Sequence, residues 1–561
     1  MDRRLFLSLA LGSSMLFSSC SKKMAELSSD YFVSNPAPLT AVAGAVPAKV
    51  TANIPAKFFV KDAELEIVPV LVNSEGDEVS SNPYKMQGEK IRGNNPVISY
   101  EYGGALTIPA SFLYYDAMAK SDLVLDFIVT QKDKSYTLPR VKIGEGVNAT
   151  STMVSVASIT PAIAVDKFQR IINEEYQADI QFLVNQTTVR GSETNTAEMN
   201  KLKSVIKAAQ DDDTREVELI NVSSYASPEG GVKVNTKIAE GREQSTKEYL
   251  ERELKNNDIT DIGGVFSQFT PQDWEGFQIL VAASDIQDKN LILSVLSMYK
   301  DPEQREKEIR NLSSVFEQLA EDVLPKLRKS RLTATISIIG KSDEELLAAV
   351  ETEPEALTVD ELLYAASIVS DNDKKIEIYT KAAVQYPNDY RAYNNLGACY
   401  YVAGEYKLAE NNLNIAAKKS KSAEVALNLG LIAMVDEDYD KANEKFGEAA
   451  GIDEVKEALG VYYLQKGDYN AAVNAFGDNK SNNAALAQIL VNDYVAARGT
   501  LAAIPVADAN TYYITAILGA RTSNNTMVYS NLKQAVRLDS SLAARATTDI
   551  EFKDYNVVTI L

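Results

Sequence analysis

Apolar and polar residues alternate along the N-terminal part of the chain. In Ala63–Val72 (AELEIVPVLV) and Asp122–Gln131 (DLVLDFIVTQ) the alternation has the two-residue period of a half-buried strand, and TLPRVKI continues it. The intervening runs NSEGDE, RGNNP and QKDKS are rich in residues that accept turn geometry. Several short strands at this spacing predict an Ig-like β-sandwich over residues 46–150.

From Phe168 to Lys341 the period switches back and forth between two and about 3.6. ADIQFLVNQTTVR and REVELINVSSYAS read as strands. NTAEMNKLKSVIKAA, capped by Ser192, and IAEGREQSTKEYLEREL read as helices. RLTATISIIG places Leu332, Ala334, Ile336 and Ile338 on one strand face. The pattern predicts a two-layer α/β domain over residues 160–345. A helical insertion at about 265–326 interrupts it, with Pro271 and Pro302 near helix starts and Trp274 as a packing anchor.

Beyond about Thr358 the chain repeats itself. Tyr393, Leu396, Gly397 and Tyr400 precede Ala409, Leu413 and Ala416; Leu429 and Gly430 precede Ala442, Phe446 and Ala449; Leu459, Gly460 and Tyr463 precede Ala472 and Phe476. The glycines recur at intervals of 33 and 30 residues. This matches the tetratricopeptide pattern, whose period is about 34, and predicts an all-α solenoid over residues 358–550. Such arrays bind protein segments along a concave groove. Asn394, Asn395 and Asn428 are placed there as exposed residues able to clamp a peptide backbone.

The N-terminus, MDRRLFLSLALGSSMLFSSCSKK, has two arginines, an apolar run too short to span a bilayer, and small residues before Cys20. This predicts a signal peptide over 1–19. LFSSC resembles a bacterial lipobox, which implies acylation of Cys20, anchoring to the outer membrane, and a polar tether over residues 20–45. Lys22 and Lys23 stand where surface-exported lipoproteins of Bacteroidota carry acids, which implies a periplasm-facing location.

Composition narrows the function. The 561 residues carry a net charge of −21, which disfavours nucleic acid as a partner. There is no histidine, so triads that use it and histidine-ligated zinc are excluded. No cofactor and no catalytic cluster is expected.

One stretch is more specific. SSYASPEGGVKVNTKIAEGRE is similar to the OmpA-like peptidoglycan-binding signature GYxDxxGxxxxNxxLSxxRA, with Tyr225, Gly230, Asn235 and Arg242 at the family spacing. The resemblance implies that Arg242 takes the carboxylate of a stem-peptide diaminopimelate. The family's aspartate for its ammonium is replaced by Ser227, with Glu229 two residues on. Asn235 and Arg242 can equally brace their own loop.

The whole resembles Bacteroidota outer-membrane lipoproteins that join an OmpA-like domain to tetratricopeptide repeats, over roughly Phe168 to the C-terminus. It implies a non-enzymatic lipoprotein contacting peptidoglycan and holding an envelope or outer-membrane barrel protein on its repeats. The alternative is an accessory scaffold subunit of an assembly or secretion complex without wall binding.

Overall fold

A computed structural model of the chain describes residues 23–286, 289–311 and 313–559. The predicted signal peptide and Cys20 lie outside the described residues. The chain divides into two compact units, residues 1–165 with 371–561, and residues 166–370.

In the first unit, two sheets share one core. Strands Phe32–Asn35, Ala45–Ile54 and Gly104–Leu113 form an antiparallel sheet. A six-stranded, mainly antiparallel sheet is centred on Ala63–Asn73 and Ser121–Gln131. Val46, Val50 and Phe112 of one meet Leu65, Ile67 and Phe127 of the other. Alternation explains this, because every second side chain on each strand points inward. The predicted tether begins earlier as structure than the sequence suggests. Met24 and Leu27 are buried, Met24 donates its N–H to the Tyr136 hydroxyl at 3.0 Å, and Phe32–Asn35 pairs with Ala45–Ile54. Four residues are too few to reveal a period.

The rest of this unit is helical. Successive antiparallel helix pairs include Tyr390–Val402 with Tyr406–Lys419, Ala423–Val435 with Tyr439–Glu448, Val455–Gln465 with Tyr469–Phe476, and Asn482–Leu490 with Tyr494–Ala502. In the first three of these pairs a glycine admits the large side chain of its partner helix. A β-carbon on Gly397 would stand 2.7 Å from Leu413 Cγ, on Gly430 2.5 Å from Phe446 Cε1, and on Gly460 2.6 Å from Phe476 Cδ1. The repeated glycine is a packing requirement. Helices Asp343–Thr352 and Val359–Ser367 belong to residues 166–370, so this unit's helices start at Asn372, not near Thr358.

The second unit holds a four-stranded sheet in the order Ile171–Gln181, Lys329–Ile339, Arg215–Tyr225, Val265–Thr270. The last strand in sequence runs antiparallel to its two neighbours, while Val265–Thr270 runs parallel to Arg215–Tyr225. Helices Ala197–Gln210 and Val232–Asn256 pack on one face, where Leu202, Ile206 and Leu250 meet Ile180, Val222, Leu332 and Ile336.

Three expectations change. The first strand is Ile171–Gln181 instead of 178–190, because its outer half is an exposed edge with little apolar signal. Thr196, not Ser192, caps the following helix, accepting from the Met199 N–H at 3.3 Å. Val265–Thr270, assigned to the insertion, is an edge strand too short to show its period. The insertion proper comprises helices from Trp274 to Asp322 closed by a 3-10 turn, around a core that includes Phe277, Val281, Ile292 and Leu319. Trp274 packs edge-on against Phe277 within it.

Candidate functional site

The groove side of the repeat helices is lined by carboxamides and is occupied by the chain itself. Asn394 and Asn395 lie on Tyr390–Val402, Asn428 on Ala423–Val435 and Asn483 on Asn482–Leu490. All four are at most 2% exposed. Expected as exposed groove residues, they are covered by residues 154–165, a segment without helix or strand that makes one turn at Val156–Ile159, between the residue held by Asn483 and those held by the other three.

Asn428 accepts the Ala162 N–H through Oδ1 at 2.8 Å and donates Nδ2 to the Ala162 carbonyl at 2.7 Å. Asn395 does the same to Ala164, at 2.8 and 2.9 Å. Asn483 does it to Ser155, at 2.9 and 2.8 Å, and also donates to the Ser158 hydroxyl at 3.0 Å. Ala162 and Ala164 are alternate residues, and in an extended chain alternate residues direct their N–H and C=O to the same side. Each carboxamide, with one acceptor and one donor group, completes both.

Asn394 links the grips. Its Nδ2 donates to the Ala162 carbonyl and to Asn395 Oδ1, both at 3.1 Å, and its Oδ1 accepts from Asn428 at 3.0 Å. The Tyr401 hydroxyl donates to the Val156 carbonyl at 2.5 Å, and the Thr160 N–H donates to Glu457 at 3.4 Å. Burial raises the affinity of both Tyr401 and Glu457 for their protons. Burial also pushes the Cys399 thiol up to about 11, so it stays protonated and unreactive at neutral pH.

Sequence reasoning missed Asn483, yet a signal exists. Asn395, Asn428 and Asn483 each stand two residues before a small residue, Gly397, Gly430 or Ala485, and eleven before the tyrosine that opens the next helix. They are one position of the repeat.

In the other unit, the OmpA-like signature residues converge on their own loop. Arg242 is 1% exposed. Its Nε donates to the Gln186 carbonyl at 3.1 Å, Nη1 to Tyr225 at 2.7 Å and Nη2 to Leu183 at 3.3 Å, and the guanidinium lies over the Phe182 ring. Burial, with the Arg328 charge adding to it, lowers its pKa to about 10. Asn235 donates to the Ser227 and Gly230 carbonyls at 3.0 and 3.2 Å. The Ser227 hydroxyl donates to Glu229, which pairs with Arg328 at 2.6 Å. Ser227, Glu229, Asn235 and Arg242 are the candidates for contact with a stem peptide, Asn235 and Arg242 being equally able to brace their loop. They close on main-chain carbonyls and on Arg328, and the loop that follows Phe182 lies against Gly241, Arg242 and Ser245 in the middle of helix Val232–Asn256.

No family model matches the chain. A stretch of 107 residues is 31% identical to the BBSome complex member BBS4 of Bos taurus, covering 18% of this chain and 21% of that protein, so the chain spans about a fifth of that relative's length. Among solved structures, a tetratricopeptide repeat protein from Parabacteroides merdae superposes with a TM-score of 0.30 at 15% identity, over 37% of this chain and 90% of the other. Pseudomonas aeruginosa PilF does so with a TM-score of 0.29 at 20% identity, over 38% and 99%.

Proposed function

We propose that this protein is a non-catalytic scaffold of a bacterial envelope. Cys20 anchors it by lipid to the outer membrane, it faces the periplasm, and its tetratricopeptide-type array serves protein–protein contact. The OmpA-like fold of residues 166–370 acts as a structural module instead of a reader of peptidoglycan. The observation that carries this choice is the enclosure of Arg242, whose three donating nitrogens are taken by the protein's own carbonyls. A guanidinium so placed offers no fork to an external carboxylate. Glu229, two residues after the family's aspartate position, is paired with Arg328.

Sedimentation with purified peptidoglycan tests the reading. Wild type and Arg242→Ala are both expected to stay in the supernatant, while the intact protein co-purifies with an envelope partner. Co-sedimentation of folded wild type would restore wall binding, whatever Arg242→Ala does, since that variant also loses a brace of its own domain. Membrane fractionation of Cys20→Ala tests the anchor, with the variant expected in the soluble fraction.

A further inference from the structure

The groove holds a peptide, and what it recognises can be separated from the peptide that fills it. The three bidentate grips fall at one repeat-equivalent position, so they belong to the design of the array. They read main-chain groups, and at Ala162 and Ala164 nothing else is read. Both alanines are almost wholly buried, whereas Ile163 between them and Val165 beyond are 42% and 74% exposed. The groove therefore demands an extended chain and small side chains at two alternate positions, and tolerates variety between them.

We propose that the groove is a receptor for an extended polypeptide segment of the form small-x-small, carried by a partner protein. Residues 155–164 are its resident intramolecular ligand, which the partner's segment displaces. This rests on the array being the partner-binding part of the scaffold. Main-chain hydrogen bonds supply affinity in such recognition, and the depth available at alternate side chains supplies selectivity. A tethered ligand acts at an effective concentration on the order of millimolar, so the resident segment outcompetes a free peptide offered at micromolar levels.

The probe is a capped, fluorescently labelled peptide with the sequence of residues 153–166, tested by polarisation against full-length protein. In the double variant Ala162→Trp with Ala164→Trp, the resident segment no longer fits. This variant is expected to bind the peptide at least tenfold tighter than wild type. Adding Asn395→Ala and Asn428→Ala abolishes that gain, and a probe with Trp in place of its own two alanines does not bind. A folded double variant that ignores the probe, or that binds the Trp probe equally well, overturns the proposal.

Should the double variant fail to fold, hydrogen exchange on wild type decides. Millimolar unlabelled peptide is expected to accelerate amide exchange of residues 155–164, and unchanged exchange overturns displacement. A wall-binding result in the sedimentation assay would revise the role of residues 166–370 and leave these outcomes as they stand.

Discussion

Asn428 and Ala162, 266 positions apart in the chain, exchange two hydrogen bonds as two paired strand residues would, with the carboxamide in place of the second backbone. Both partners are buried. Removing the carboxamide leaves the Ala162 N–H without a partner in a place water does not reach and takes from the Ala162 carbonyl the shorter of its two donors, Asn394 keeping the other, at a cost of about 1–3 kcal/mol. Asn428→Ala is expected to lower stability by that amount in urea unfolding followed by far-UV circular dichroism. Asn428→Asp keeps the shape but sets a carboxylate against the Ala162 carbonyl, and is expected to be no more stable than the alanine variant. Equal stability of wild type and Asn428→Asp would mean that shape, not hydrogen bonding, holds the segment.

Gly430 tests the packing rule of the repeats. A methyl group there stands 2.5 Å from Phe446, a buried ring with no room to retreat. Gly430→Ala is expected to destabilise by about 1–3 kcal/mol. Phe446→Ala should then cost less in the Gly430→Ala background than in wild type, so a double-mutant cycle gives a coupling of about 1 kcal/mol or more. Strict additivity would remove the steric explanation.

Glu551 gives the first unit a pH dependence. It accepts from Arg521 at 2.6 Å, from Thr150 at 2.6 Å and from Asn148 at 2.7 Å. Burial pushes its pKa up, but Arg521 and the two neutral donors outweigh burial and hold it below the ordinary 4.5. A carboxyl depressed in the folded state contributes stability above its unfolded value and loses it as pH falls through the folded one. Wild type should therefore exceed Glu551→Gln in melting temperature at pH 7, with the gap narrowing below about pH 4.5. Asp549 nearby is raised, chiefly by burial and in part by the Glu551 charge, so Glu551→Gln relieves that repulsion and makes the gap at pH 7 smaller than Glu551 alone would give. A gap that stays constant down to pH 3 would dismiss the ionised contact.

Arg242→Ala removes the donors of three main-chain carbonyls and the cover of Phe182. Loss of so enclosed a network is expected to destabilise residues 166–370 by about 3–5 kcal/mol. Trp274, the chain's single tryptophan, lies in this unit, so its emission during urea unfolding reports the loss directly. An unchanged midpoint would mean that the guanidinium is not a brace.

The repeats were legible because their determinants are local. Gly397 and Leu413 sit within one helical hairpin, and such pairs recur at a period that any reader of the chain can count. The central helices and the last strand were legible for the same reason, since Leu332, Ala334 and Ile336 announce their common face. Val265–Thr270 was not, because a six-residue edge strand between a glycine pair and a proline is too short to carry a period.

For the candidate sites, spacing identified residues but not their direction. The sequence marked Arg242 and Asn235 by their distance from Tyr225, and marked Asn394, Asn395 and Asn428 by their place on repeat helices. Whether a guanidinium points at solvent or at the Leu183 carbonyl depends on how the loop 182–186 folds back. Whether a groove is open or filled depends on a segment more than two hundred residues upstream. Periodicity records which face of an element is buried; it does not record what buries it. That second fact comes from contacts between distant parts of the chain, and here it turned an expected open clamp into one already closed on its own backbone.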